Sequence, residues 1–194
     1  MVIILKNLLI TISAVAILGC AEEYKPKPNA MLRLEYPKPV YKPSSLDLPF
    51  NFEKNLASKD IETIVVESDG KSIGLNIEYP QLKGTIYLTY KAVNNNLFDL
   101  IKDAQNLTQK HTVKADEIAE VVFENPNNNV YGMFYEIGGN AASQSQFYVT
   151  DSTKHFLSGS LYFYAKPNYD SIFPASEYLK KDIKRIMETL EWKD

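Results

Sequence analysis

Short runs of alternating hydrophobic and polar residues occupy much of the chain after residue 50 and predict β-strands. Alternation with a period of two is typical of strands, because successive side chains point to opposite faces of a sheet. Turn-forming residues such as Pro80 and Gly138-Gly139 separate the runs. The predicted strands are Phe50 to Lys54, Ile61 to Glu67, Ile73 to Tyr79, Gly84 to Lys91, Ile118 to Glu124, Val130 to Ile137, Gln146 to Thr150 and His155 to Lys166. The short connections between them favour antiparallel pairing.

Two segments have apolar residues at helical spacing instead, and each is predicted to form an amphipathic helix. The first runs from about Leu97 to Gln109. The second runs from about Ala175 to Leu190, with Pro174 near its first turn. Proline is well placed there, because the first helical N–H groups have no partner within the helix.

Both faces of the predicted strands are largely apolar. In Val130 to Ile137, for example, one face holds Val130 and Phe134, and the other holds Met133 and Ile137. A sheet with one face in water would alternate apolar with polar residues. We therefore expect an α+β fold in which a mostly antiparallel sheet is covered by a helix on each face. By analogy, this outline is similar to the PsbP-type fold.

The first 19 residues have the features of a secretory signal peptide. The apolar run from Leu8 to Leu18 is shorter than the roughly 20 residues that a membrane-spanning helix needs. It ends in Ile17-Leu18-Gly19-Cys20, which resembles the lipobox of bacterial lipoproteins, where the cysteine is acylated and becomes the new N-terminus. Cys20 is the only cysteine in the chain, so no internal disulfide is possible. The alternative is an ordinary signal peptide that happens to end near a cysteine.

Residues 20–49 are predicted to form a proline-rich tether that begins with the lipidated cysteine. Six of the ten prolines lie in this segment, and proline disfavours helix and favours extended chain. The apolar positions Leu32, Leu34 and Tyr36 exceed what a free linker requires, which makes them candidates for contact with the domain itself or with a partner. Residues 50–194 are predicted to be a single α+β domain.

The charge balance gives no support for nucleic-acid binding. Removal of residues 1–19 takes away only Lys6 and leaves 20 basic against 24 acidic residues. Mature chains of this length bury enough surface to fold without disulfides.

The sequence contains no grouping that predicts catalysis, a metal site or a cofactor. Asp151, Ser152 and His155 lie within five residues, but residues this close are more simply explained as a hairpin turn than as a triad. The polar segments 140–144 and 150–154 flank strands and are expected to be exposed, and exposed loops often carry function. Their candidate partner-binding residues are Asn140, Ser143, Gln144, Asp151 and His155.

Several segments together resemble one protein family. They are residues 140–164 (NAASQSQFYVTDSTKHFLSGSLYFY), 167–174 (PNYDSIFP), 84–90 (GTIYLTY) and the YKPKP segment shortly after Cys20. These segments, the chain length and the tether are similar to the gliding-motility lipoprotein GldD family of Bacteroidota. Ile17, in place of the commoner leucine at the start of the lipobox, is a mild departure.

The resemblance implies a non-enzymatic cell-envelope lipoprotein that is required for surface gliding. Its expected partners are other gliding-motility lipoproteins or components of type IX secretion, and its expected location is the outer membrane, facing the periplasm. Only the lipidation role of Cys20 carries over to a particular residue. The alternative is an enzyme acting on envelope glycans or lipids, or a small-ligand binder, that uses Asp151 and His155.

Overall fold

The structure is a computed structural model that describes residues 36–66, 72–110, 113–164 and 168–193. The predicted signal peptide and the candidate residues Cys20, Leu32 and Leu34 lie outside these ranges. The elements in chain order are β1 (Tyr41–Pro43), β2 (Phe50–Asn51), β3 (Glu53–Asn55), β4 (Glu62–Val66), β5 (Ser72–Tyr79), β6 (Gly84–Ala92), α1 (Leu97–Gln109), β7 (Ala115–Asn125), β8 (Val130–Gly139), β9 (Ser143–Thr150), β10 (His155–Phe163), α2 (Tyr169–Thr189) and β11 (Glu191–Trp192).

Seven of these strands form one antiparallel sheet in the order β4-β5-β6-β10-β9-β8-β7. Short 3-10 turns at Pro80–Leu82 and Pro126–Asn128 connect β5 to β6 and β7 to β8. Each of these turns ends in a residue with positive φ, Lys83 or Asn129, as tight reversals require. The predicted α+β class with a mainly antiparallel sheet is confirmed.

Alternate side chains of the sheet pack into two separate apolar clusters. Phe147 and Val149 of β9 belong to the larger cluster, whereas Tyr148 between them belongs to the smaller one. Helix α2 supplies the larger cluster with Tyr178, Leu179, Ile183, Ile186 and Met187. Helix α1 supplies the smaller cluster with Leu100. Every residue of β9 is buried, because β9 lies inside the sheet and its side chains enter both clusters.

The first predicted helix has the predicted bounds, but the start of the second was wrong. Helix α2 begins at Tyr169, six residues before the predicted start, and Pro174 therefore lies inside the helix. The first turn is held by tertiary contact, since the N–H of Tyr169 donates to the side-chain oxygen of Asn140 at 2.9 Å. Pro174 is the sixth residue of this helix, so it removes the hydrogen bond that an N–H group at this position would donate to the carbonyl oxygen of Asp170.

The segment before residue 50 is in contact with the domain from Tyr36 onward. Strand β1 pairs with β3, and Leu48 is buried in the larger cluster. The ring of Tyr36 packs against that of Tyr178 with centroids 5.2 Å apart. The predicted division between tether and domain at residue 49 remains a prediction.

Close approach of two central strands requires a glycine at position 132. A Cβ added to Gly132 of β8 would overlap the backbone carbonyl oxygen of Tyr148 in β9. Backbone atoms of a central strand cannot move aside without disturbing the ladder. At Gly138 of the same strand the nearest atom to an added Cβ is 3.8 Å away, which is ordinary contact.

We expect Gly132→Ala to lower the free energy of unfolding by about 1–3 kcal/mol, the usual range for overpacking. Gly138→Ala is the matched control and should remain within about 0.5 kcal/mol of the wild type. Urea unfolding followed by far-ultraviolet circular dichroism would measure both. Equal stability of the two variants would contradict the close approach of β8 and β9.

Candidate functional site

The turn between β9 and β10 is organised by the carboxylate of Asp151. One of its oxygens, Oδ1, accepts hydrogen bonds from the backbone N–H groups of Thr153, Lys154 and His155 at 2.8–2.9 Å. The other oxygen, Oδ2, accepts from the hydroxyl of Thr153 at 3.0 Å. This arrangement allows Ser152 to adopt a positive φ of 69°. The carboxylate thus acts as the cap of a tight hairpin turn.

These hydrogen bonds also favour the ionised form of the Asp151 carboxyl group. Burial acts to raise the pKa of Asp151, but the hydrogen bonds from the backbone N–H groups of His155, Thr153 and Lys154 outweigh it and hold the pKa below its usual range. The ionised form is therefore favoured by folding.

The side chain of His155 packs into an aromatic group. Its Nδ1 lies 2.9 Å from the hydroxyl of Tyr90, and its ring stacks on the indole of Trp192 with centroids 5.1 Å apart and planes 8° from parallel. Only 8% of the residue is exposed. The hydrogen bond between Asp151 and His155 is donated by the backbone N–H of the histidine, at 2.8 Å.

The Asp151 to His155 turn and two segments that are distant from it in sequence line a polar cleft of about 470 Å³. The other two segments are residues 127–129 and the C-terminal strand β11. The indole N–H of Trp192 donates to the backbone oxygen of Asn129 at 3.1 Å, which fixes the cleft wall. Sequence reasoning missed Trp192 and the asparagines, although the only tryptophan and an Asn-rich turn were visible in the sequence.

The segment 140–144 is less exposed than predicted. Asn140 is exposed, but its side-chain oxygen is bonded to the start of α2. Ser143 and Gln144 are buried, so the expectation of an exposed loop was wrong for both. The physical reason is that β9 begins at Ser143, three residues earlier than predicted, between β8 and β10.

Tyr36 is the one apolar tether candidate within the described residues. It is half-buried and lines an apolar cavity of about 450 Å³ near the start of α2. The other walls of this cavity include Leu82, Phe163, Ile172 and Tyr178.

A buried polar network around Asp182 was not predicted from the sequence. The Tyr41 hydroxyl donates to Asp182 Oδ1 at 2.7 Å, and the Asn55 amide donates to both carboxylate oxygens at 3.0 and 3.2 Å. Burial raises the pKa of Asp182, while hydrogen bonds from Tyr41, Asn55 and Tyr79 act in the opposite direction. The same burial raises the pKa values of Tyr41 and Tyr79. Only 2% of Asp182 is exposed, so the network is buried between the helix and the strands and its carboxylate is out of contact with solvent.

Within residues 36–66, 72–110, 113–164 and 168–193, no helix combines the length and the hydrophobicity needed to cross a bilayer. The same ranges contain no group of three or more His, Cys, Asp or Glu side chains placed to hold a metal ion.

Fold and site together define a class: an α+β domain built on a seven-stranded antiparallel sheet, with a leader of lipoprotein type in its sequence. The family model described as gliding motility lipoprotein GldD matches residues 21–192. The chain therefore belongs to the GldD family of gliding-motility lipoproteins, and membership implies a lipid-anchored protein of the cell envelope. No curated protein and no solved structure matches it.

We expect Asp151→Ala to destabilise the protein by about 1–2 kcal/mol at neutral pH, as loss of comparable Asp caps does. Because the folded state lowers the pKa of Asp151, its contribution is present above the unfolded pKa and disappears as pH falls through the folded pKa. Urea unfolding at a series of pH values from neutral to about 3 would measure the free energy of unfolding of both proteins. The difference between wild type and variant should become smaller as the pH falls. Thr153→Ala, which keeps the carboxylate, should retain the pH dependence. A difference that does not change with pH would contradict this role.

Proposed function

We propose that this lipoprotein is a non-catalytic component that assembles or stabilises the gliding machinery through protein–protein contacts. Membership of the GldD family supports a role in gliding motility. The structural roles of Asp151 and His155 support the non-catalytic part of the proposal. The carboxylate of Asp151 caps its own turn, and the imidazole of His155 is buried and stacked on Trp192.

The proposed partners are other gliding-motility lipoproteins or components of type IX secretion. The proposed location is the outer membrane, with the domain in the periplasm. Support comes from the lipobox-like Ile17 to Cys20 segment and from the proline-rich residues that follow it. Two or three acyl chains anchor a protein firmly where one would not.

We also propose that one helix covers each face of the sheet, as in a PsbP-like sandwich. The alternation along β9 supports this arrangement, because Phe147 and Tyr148 enter different clusters and each cluster contains one of the two helices.

The anchor provides the first test. We expect Cys20→Ala, expressed at native abundance in cells that lack the wild-type gene, to leave the protein unanchored and to abolish colony spreading and adhesin secretion together. Membrane fractionation, spreading assays and secretion assays would measure the three effects. The control is the wild-type gene in the same cells. Full gliding with the soluble form would contradict a function that depends on the anchor.

The second candidate is a small-ligand binder or an enzyme acting on envelope glycans or lipids. The polar cleft beside Asp151 and His155 favours it, since an indole next to asparagine and carboxylate groups suits a sugar. It predicts that Asp151→Asn combined with His155→Ala abolishes gliding although the protein still folds and accumulates.

Far-ultraviolet circular dichroism and immunoblotting would establish folding and abundance of this double variant, and colony spreading would establish function. We expect normal spreading from the folded double variant. Loss of spreading with wild-type folding and abundance would instead favour the ligand-binding candidate.

A further inference from the structure

Strand β7 forms one edge of the seven-stranded sheet, and among the described residues it pairs only with β8. It spans Ala115–Asn125 and keeps an unbroken register with β8 from Glu117 to Asn125. At about 3.3 Å per residue this register extends for about 30 Å. A long strand at the edge of a sheet presents a row of backbone donors and acceptors to any other extended segment.

The side chains of this edge are uncovered in its middle. Val121 is 47% exposed and Val122 is 65% exposed. Consecutive residues of a strand point to opposite faces, so apolar surface is open to solvent on both sides of β7. Natural proteins usually protect such edges with charged side chains (lysine above all), proline, bulges or a very short strand. Within the register to β8, this edge carries no lysine and no proline.

The charge of the edge is entirely negative. Residues 115–125 contain Asp116, Glu117, Glu120 and Glu124 and no basic residue. Among the ion pairs of the described residues, none includes any of these four carboxylates. Glu120, Val122 and Glu124 share one face, which gives an order of carboxylate, apolar group and carboxylate about 7 Å apart.

A cleft of about 340 Å³ continues from one end of the edge. Glu117 and Ala119 of β7 line it together with Gln144, and its other two carboxylates, Glu136 and Glu177, are paired with Lys180 in the same wall. Gln144 is 4% exposed, and among the described residues its side-chain oxygen has no hydrogen-bond donor. A buried acceptor of this kind is stabilised by a donor group that reaches it. A lysine or arginine side chain has such donors and would also match the carboxylate of Glu117 in the same cleft.

We propose that β7 receives an extended segment of a partner protein by strand addition, and that this segment carries Lys or Arg opposite the carboxylates of β7 and apolar residues opposite Val121 and Val122. Backbone hydrogen bonds would supply much of the affinity and the side chains the specificity. The proposal rests on the protein-contact function proposed above and names the surface that makes the contact.

A second copy of this chain is a poor occupant of the same edge. Antiparallel pairing of two β7 strands centred on Val122 would place Glu120 opposite Glu124 at both ends of the pair. Like charges directly opposite each other destabilise a strand pair. The acidic residues therefore act against self-association, while a basic segment would be attracted.

Amide hydrogen exchange on the full lipoprotein in detergent micelles would test the proposal. The probe is the peptide Lys-Val-Val-Val-Lys-Thr-Val-Lys, whose residues would lie opposite Glu124 to Glu117 in antiparallel pairing. At ten times its Kd, the peptide should slow exchange of the edge amides in residues 117–124 by about elevenfold. The matched peptide with Glu in place of every Lys should give no slowing at equal concentration.

Two variants separate the edge from general charge attraction. Glu120→Lys combined with Glu124→Lys should lower the affinity for the basic peptide by at least about fivefold and should allow the acidic peptide to bind. Asp47→Lys combined with Asp103→Lys makes the same change of charge at exposed positions outside β7 and should leave the basic peptide's affinity unchanged. Fluorescence anisotropy of labelled peptides would give the affinities.

Binding of the basic peptide without slower exchange in residues 117–124 would overturn the proposal, and so would equal binding of both peptides. Slower exchange that depends on protein concentration alone would show that a second copy occupies the edge, which would also overturn it. These measurements use purified protein, so they succeed or fail independently of whether cells without the protein stop gliding.

Discussion

The buried carboxylate of Asp182 is the group on which the arrangement of helix and strands depends. A carboxylate that is 2% exposed is costly unless hydrogen bonds surround it. Here the donors come from Tyr41 in β1, Asn55 in β3 and Tyr79 in β5. All three donors must reach one side chain of α2. The network therefore fixes the rotation of the helix and the positions of β1 and β3 against it.

The same network explains why the chain before residue 50 adheres to the domain. Tyr41 contributes a hydroxyl to Asp182 and its ring packs under the guanidinium of Arg185, which also pairs with Glu53 of β3. Strand β1 alone is only three residues long and would be marginal without these contacts.

Polar residues that suggest chemistry in the sequence serve structure in the fold. Asp151 caps a turn, His155 stacks on Trp192, and Gln144 lies in a central strand. An acidic edge strand and a polar cleft formed by distant segments are among the surfaces that face solvent.

The sequence by itself determined the class of fold, the first helix and most strands, because alternation and helical spacing are local consequences of burying one face of an element. It also determined the family. Tertiary structure decided the start of α2, where Asn140 binds Tyr169, and the start of β9, where burial between β8 and β10 draws Ser143 into the sheet. It likewise decided the Asp182 network and the cleft at Trp192, since their members are far apart in the chain and meet only when the sheet forms. Pairing partners, edges and buried charges depend on which segments become neighbours, and no local pattern contains that information.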